Sequence, residues 1–415
     1  MAPKTKTILI LGGSYAGTST AHYTLKHILP ALPSLDSHQV VLVSSSREIM
    51  CRPAAPRALI ADSYFDQAKL FVSVEEQFKP YGEKFKFIHG CAKSLDHEGR
   101  IVVVEQLSNQ GEGEIQLEYH ALIIGTGAST PSPLFSLNSA GEPELTAQWK
   151  SFRSALSSAK SIVIAGGGPT GIETAGELGE HLNGKRGWFS WRSAEPKVKI
   201  TVVTSGSEIL PQLRPSIAHT GEGYLSKLGV GVIKNVKVEG VTPVEAGKEE
   251  QLTAKTEVKL SNGETIQADL YIPAYGTIPN TAFLDESLKS ADGRVSTNPQ
   301  TLRVDEAGPR VYAAGDVSDY ARPAIHILME AIPVLCANLK RDLFAEAGQT
   351  ISGEDRLFRA DESETQLVPI GRGKGVGAAK GYRMPSLFVW LIKGRDYWLD
   401  MTGAIWSGKQ WAKEV

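Results

Sequence analysis

The sequence predicts an α/β fold built from two copies of one strand, turn and helix unit, and three observations predict it. The first is a repeated glycine turn, Gly12-Gly13-Ser14-Tyr15-Ala16-Gly17 and later Gly166-Gly167-Gly168-Pro169-Thr170-Gly171. The second is context: each turn follows a short apolar run, residues 8–11 and 162–165, and opens a helix-like segment containing small residues. The third is that both copies continue and close alike. Second strands are expected at 40–43 and 198–203, and polar turns at 109–114 and 261–263 precede glycine-ended strands at 121–127 and 269–276. A strand, helix, strand run with the favoured right-handed crossover makes a parallel sheet.

Each turn has the physical requirements of a Rossmann-type dinucleotide site. The first glycine makes the turn, the middle position lets backbone approach a pyrophosphate, and the last allows close helix-to-strand packing. The helix N-terminus then attracts the phosphates. Candidate nucleotide contacts are therefore Gly12, Gly13, Ser14, Tyr15, Ala16, Gly17 and Ser44 in the first copy, and Gly166, Gly168, Pro169, Thr170, Gly171 and Gly276 in the second. Two departures matter. Ser14 replaces the middle glycine of the first turn, and neither second strand ends in the acid that ordinarily holds a ribose, since Val43 is followed by Ser44 and Val203 by Thr204. In the second copy that removes a carboxylate that would repel a 2′-phosphate and supplies no arginine to attract one. NADH and NADPH stay equally open as donors at this point.

Composition narrows the remaining classes. A chain of 415 residues, 41% hydrophobic, is long enough for two or three domains with ordinary cores. Its 44 Lys and Arg nearly balance 46 Asp and Glu, so no broad basic field gathers nucleic acid. Three dispersed cysteines, Cys51, Cys91 and Cys336, form neither a disulfide framework nor a zinc-ligand spacing, and no metal is expected. The opening Met-Ala-Pro-Lys-Thr-Lys-Thr has no apolar signal region, and Ala2 stands where N-myristoylation requires glycine. The expected location is cytoplasmic, with at most peripheral membrane contact, because the apolar run at 386–392 is too short to span a bilayer.

At residues 166–178, GGGPTGIETAGEL, and 311–317, VYAAGDV, the chain resembles the two-dinucleotide flavoprotein reductases of the pyridine nucleotide-disulfide oxidoreductase superfamily. It resembles the apoptosis-inducing-factor-2-like, ferroptosis-suppressor-like quinone reductases more closely and type II NADH dehydrogenases more distantly. The resemblance implies FAD in the first unit and NADH or NADPH in an inserted second unit. It implies boundaries at 1–140 and 281–345 for the two parts of the FAD domain, 141–280 for the NAD(P)H domain, and 346–415 for a smaller α+β C-terminal region. It maps FAD contacts to the first turn, Arg57, Thr126, Gly127, Gly315 and Asp316, with Asp316 binding ribitol hydroxyls. The likeness loosens at residues 322–326, Arg-Pro-Ala-Ile-His, which lack the lysine of the quinone-reductase branch, and Pro333 is expected to interrupt the helix that follows. In the tail, the aromatic positions at 366–411 are expected to serve core or dimer packing rather than a lipid surface.

Glu173 lies two residues beyond Gly171, where the family places a functional glutamate beside nicotinamide and flavin. Its plain alternative is a solvent-facing glutamate near a helix N-terminus. Glu177, one turn later, reads as structural. The implied activity is hydride transfer from NADH or NADPH to FAD and then electron delivery to a small acceptor such as a quinone. Two alternatives are carried. Cys51 follows the first unit's second strand near Arg47, Arg52 and Arg57, which could stabilise a thiolate and make the chain a thiol-cycling peroxidase or disulfide reductase. The other is a redox-sensing or cell-death-related flavoprotein with little turnover. Expected partners are the small-molecule acceptor and, with room for a homodimer, a second copy of the chain; no nucleic acid is expected.

Overall fold

The computed structural model describes residues 5–33, 37–108, 111–138, 141–184, 195–349 and 351–415. A seven-stranded sheet runs in the order Val311–Ala313, Ala121–Ile124, Lys6–Leu11, His38–Ser44, Phe85–Asp96, Ile101–Ser108, Gly111–Glu118. The first five are mutually parallel and the last two return antiparallel. The parallel strands are covered on both faces, which is why residues 8–11 form an unbroken apolar run and are at most 1% exposed. Phe85–Asp96 changes partners at Gly90, where a side chain would collide with the Glu105 carbonyl.

The second unit repeats the plan at smaller scale. Val230–Ile233, Lys199–Val203, Ser161–Ala165 and Leu270–Pro273 form a four-stranded parallel sheet, with Val238–Thr242, Thr256–Leu260 and Thr265–Ala268 as a separate antiparallel sheet. The chain leaves the first unit after Ala128–Ser129 and returns through Ile278–Pro279, and these two segments pair antiparallel. The expected turn at 261–263 joins two strands of the small sheet, with Gly263 at φ +86°. Of the turn expected at 109–114, residues 109 and 110 lie outside the described residues, as do the first four residues on which the leader and Ala2 readings rest.

One expectation needs correction. Pro333 does not interrupt its helix, which runs unbroken over Ile325–Glu346 with Pro333 buried inside it. The proline removes one N–H, and tertiary burial of Leu328, Ala331, Ile332, Leu335 and Leu339 on the same helix outweighs that loss. The tail also divides. Its hairpin, Gln366–Ile370 with Lys374–Ala379, packs on the second unit's helix, and Tyr397, Trp406 and Trp411 are buried in the cores. Leu387, Phe388, Leu391 and Ile392, in contrast, are exposed. Among the described residues, no helix is long and apolar enough to cross a membrane, and no group of three His, Cys, Asp or Glu is placed to hold a metal ion.

Candidate active site

The two glycine turns are built alike, contact by contact. In the first, the Gly12 N–H donates to the Val43 carbonyl at 2.8 Å; in the second, the Gly166 N–H donates to Val203 at 2.8 Å. Both first glycines need positive φ, +108° and +128°, and a Cβ would lie 2.1 Å from the Gly125 oxygen or 2.3 Å from the Ala274 oxygen. The last glycines, Gly17 and Gly171, let the helix close on the turn: a Cβ would sit 1.8 Å or 2.1 Å from the carbonyl oxygen of Gly12 or Gly166. Ser14 and Gly168 are the N-caps of helices Tyr15–Tyr23 and Pro169–Asn183, and neither supplies a side-chain cap. The first backbone N–H groups of both helices are thus left for an anion.

A cavity of about 710 Å³ begins at the first turn and ends where the second unit and the tail meet. Gly12, Gly13, Ser14, Tyr15, Ala16 and Ser44 line one end, with Glu48 beside them. Thr126, Gly127, Gly276, Gly315 and Asp316 line the middle, and Pro169, Thr170 and Glu173 bring the start of the second unit's helix to the same space. This arrangement fits FAD. The Gly12 turn, closed tightly on the Gly125 backbone, brings bare main chain to the cavity wall, the uncapped helix suits a pyrophosphate, and Asp316, an acceptor-only carboxylate, suits a polyol. The helix Ile325–Glu346 points its N-terminal end, with Arg322 and His326, into the far part of the cavity. Its dipole favours negative charge there.

Not every predicted contact lines this space. Gly17, Gly166, Gly168 and Gly171 do not; Gly17 and Gly171 act through packing, and Gly168 has open space beside it. Arg57 does not line the cavity either. It is 4% exposed, donating through Nε and Nη2 to Glu177 Oε1 at 3.0 and 2.8 Å and through Nη1 to the Gly394 carbonyl at 2.8 Å. Arg52, five residues earlier, lines the cavity, 4.0 Å from Asp316. Asp316→Ala is expected to lower FAD retention after desalting, read from the flavin absorbance bands, with far-UV circular dichroism unchanged. Full flavin content in that variant would remove Asp316 from the cofactor site.

Glu173 lies at the junction of the two units. It is 3% exposed and forms an ion pair of 2.5 Å with Lys393, which also donates to the Leu367 carbonyl at 3.1 Å. Both side chains line the cavity. Burial pushes the Glu173 carboxyl up to about 7, against the opposing pull of the Lys393 ammonium. Glu173 begins a row along one face of its helix. Glu177 meets Arg57 and the Tyr397 hydroxyl, and Glu180 meets Arg372 at 3.0 Å. Sequence reasoning missed Lys393. Its one local signal was a cation at the end of the apolar run at 387–392, a place where a lysine must find a buried partner.

The same geometry gives the thiol-cycling alternative no support. Cys51 is 0% exposed and does not line the cavity; its thiol approaches the Tyr397 carbonyl at 3.6 Å and the Tyr15 hydroxyl at 3.9 Å. Burial pushes that thiol up to about 11, the direction that suppresses the nucleophilic thiolate. The three neighbouring arginines are engaged elsewhere: Arg47 with Glu75, Arg52 towards Asp316 and Arg57 with Glu177.

Comparison with known proteins agrees with this construction. Residues 6–333 match the family model described as pyridine nucleotide-disulphide oxidoreductase. Oxidoreductase phnG of Penicillium herquei is 55% identical over 419 residues, covering all of both chains. Ferroptosis suppressor protein 1 of Xenopus tropicalis is 24% identical over 95% of this chain and 94% of its own. Among solved structures, NDH2 from Plasmodium falciparum shares the fold at a TM-score of 0.66, with 14% identity and 99% of each chain covered. The chain is an oxidoreductase that belongs to the pyridine nucleotide-disulphide oxidoreductase family, with FAD and NAD(P)H as its cofactors.

Proposed function

We propose that this oxidoreductase passes electrons from NAD(P)H through FAD to a quinone-like acceptor. The observation that carries the reading is the buried Glu173–Lys393 pair on the cavity wall. The overall reaction, NAD(P)H plus a proton plus quinone giving NAD(P)⁺ and hydroquinone, consumes one proton beyond those the donor brings. FAD, when bound, supplies the hydride and two-electron chemistry. The protein's own groups supply the proton and the orientation. Glu173 carries a proton that it can release to an acceptor oxygen, Lys393 fixes the carboxyl and balances its charge, and Trp398, whose ring lies 5.1 Å from the Lys393 ammonium, bounds the same end of the cavity. Names of relatives that include ferroptosis suppressor protein 1 are consistent with this branch of the family.

The pH dependence has a definite sign. The carboxyl is protonated below about 7 and loses its proton above it. Acceptor reduction should therefore slow as pH rises through that value. Lys393→Met removes the cation that favours the carboxylate and should move the fall to higher pH. The test of the function is a two-step mixing experiment. Protein reduced anaerobically with NADH or NADPH is mixed with a short-chain benzoquinone or naphthoquinone, and flavin reoxidation is followed. Rapid reoxidation with sustained turnover is expected; reduced flavin that persists equally with quinone and with buffer would sink the assignment and favour a sensor.

A further inference from the structure

The second unit holds a charged cluster that neither the glycine turn nor the Glu173 site uses. In a doubly wound sheet the dinucleotide lies across the C-terminal ends of the strands, and an acid ending the second strand ordinarily holds the adenosine ribose. Here that place is taken by Thr204, packed against Gly167, with its hydroxyl already accepting from the Gly206 N–H at 3.3 Å. Four residues on is Glu208, about a quarter exposed. Beside Thr204 the neighbouring strand Val230–Ile233 ends, and the Thr204 N–H donates to Ile233 at 2.9 Å, so Lys234 stands at the same sheet edge. The Lys234 ammonium lies 3.2 Å from Glu208 and 3.0 Å from Glu222, and His219 approaches Glu208 at 3.8 Å.

The first unit shows the same design. Ser44 packs against Gly13 and accepts from the Ser46 N–H at 3.2 Å, and four residues on, Glu48 lines the FAD cavity. The repeat therefore places a glutamate at matching positions, one of which faces a nucleotide cavity. In the second unit, one lysine between two carboxylates leaves a surplus of negative charge. A phosphomonoester would add roughly two more negative charges at neutral pH. A ribose hydroxyl, in contrast, can donate to a carboxylate.

We infer that Glu208 is the residue that selects the electron donor: it accepts from the adenosine ribose hydroxyls and, with Glu222, occupies Lys234, so that a 2′-phosphate is rejected and NADH is used. This rests on the second unit being the donor site. The probes are 5′-AMP and 2′,5′-ADP, which carry only the adenosine end and need neither flavin chemistry nor an acceptor. Calorimetric titration of the flavin-loaded protein should give binding of 5′-AMP tighter than that of 2′,5′-ADP by about tenfold or more, the scale on which like charges at an interface discriminate. Glu208→Gln removes one of the two carboxylates that hold Lys234 and should erase or reverse the ratio; Lys234→Met added to it should weaken 2′,5′-ADP again. Lys234→Met alone, with both carboxylates retained, should weaken 2′,5′-ADP and leave 5′-AMP nearly unchanged. Equal or tighter wild-type binding of 2′,5′-ADP, or an unchanged ratio in Glu208→Gln, overturns the inference. Absence of binding by both probes overturns the donor-site reading itself, and with it this inference, while leaving the acceptor chemistry to its own assay.

Discussion

Glu173→Gln is expected to lower acceptor-linked turnover by about 10²-fold, the usual contribution of a positioned proton donor. The amide keeps the size of the carboxyl and can still accept from Lys393, so the variant should retain FAD and reach a wild-type thermal midpoint. Glutamine cannot release a proton, and the loss should fall on acceptor reduction; flavin reduction by NADH should change by less than about tenfold. Stopped-flow measurement of the two half-reactions separates them. Rates within about threefold of wild type in both would remove Glu173 from the chemistry. The alanine variant is a poorer probe, because it leaves the Lys393 ammonium, whose side chain is 9% exposed, without its carboxylate.

Arg57→Met is expected to destabilise the protein by about 3–5 kcal/mol, the cost of leaving a buried charge without its partner. Arg57 and Glu177 are 5% and 2% exposed at their side chains, and the guanidinium also stacks 4.7 Å from the Tyr397 ring. The double variant Arg57→Met with Glu177→Gln removes both charges and should recover much of the loss, since the Tyr397 hydroxyl can still donate to the amide. Thermal unfolding of the FAD-saturated forms reads the difference. A single variant as stable as wild type would show that the pair contributes nothing, and a variant that loses flavin but not stability would return Arg57 to the cofactor site.

What could be read from the sequence was local. The two turns, the strands before them and the glycines after residues 124 and 273 are determined by backbone needs that fall within a few residues, and the folded chain has them where the spacing predicted. Asp316 could be found because its apolar strand and glycine are adjacent to it. The partner of Arg57 was not legible because Glu177 is 120 residues away, and no local pattern announces such a partner. Lys393 was missed for the same reason, its carboxylate lying 220 residues earlier. The arginines around Cys51 suggested an activated thiol only while their own carboxylates were unknown. Pro333 misled because helix propensity is a local quantity, whereas the helix around it is held by burial.

The row of Glu173, Glu177 and Glu180 bears on how this fold diversifies. The stretch that matches the family ends at residue 333, yet Lys393, Arg372 and the carbonyls that hold Arg57 all come from beyond it. The stretch matched by the family model thus carries both nucleotide turns, while Lys393, the partner of Glu173, comes from the C-terminal segment, which the full-length relative phnG shares. Substitutions in that segment would change what surrounds Glu173, Glu177 and Glu180 while leaving both glycine turns as they are.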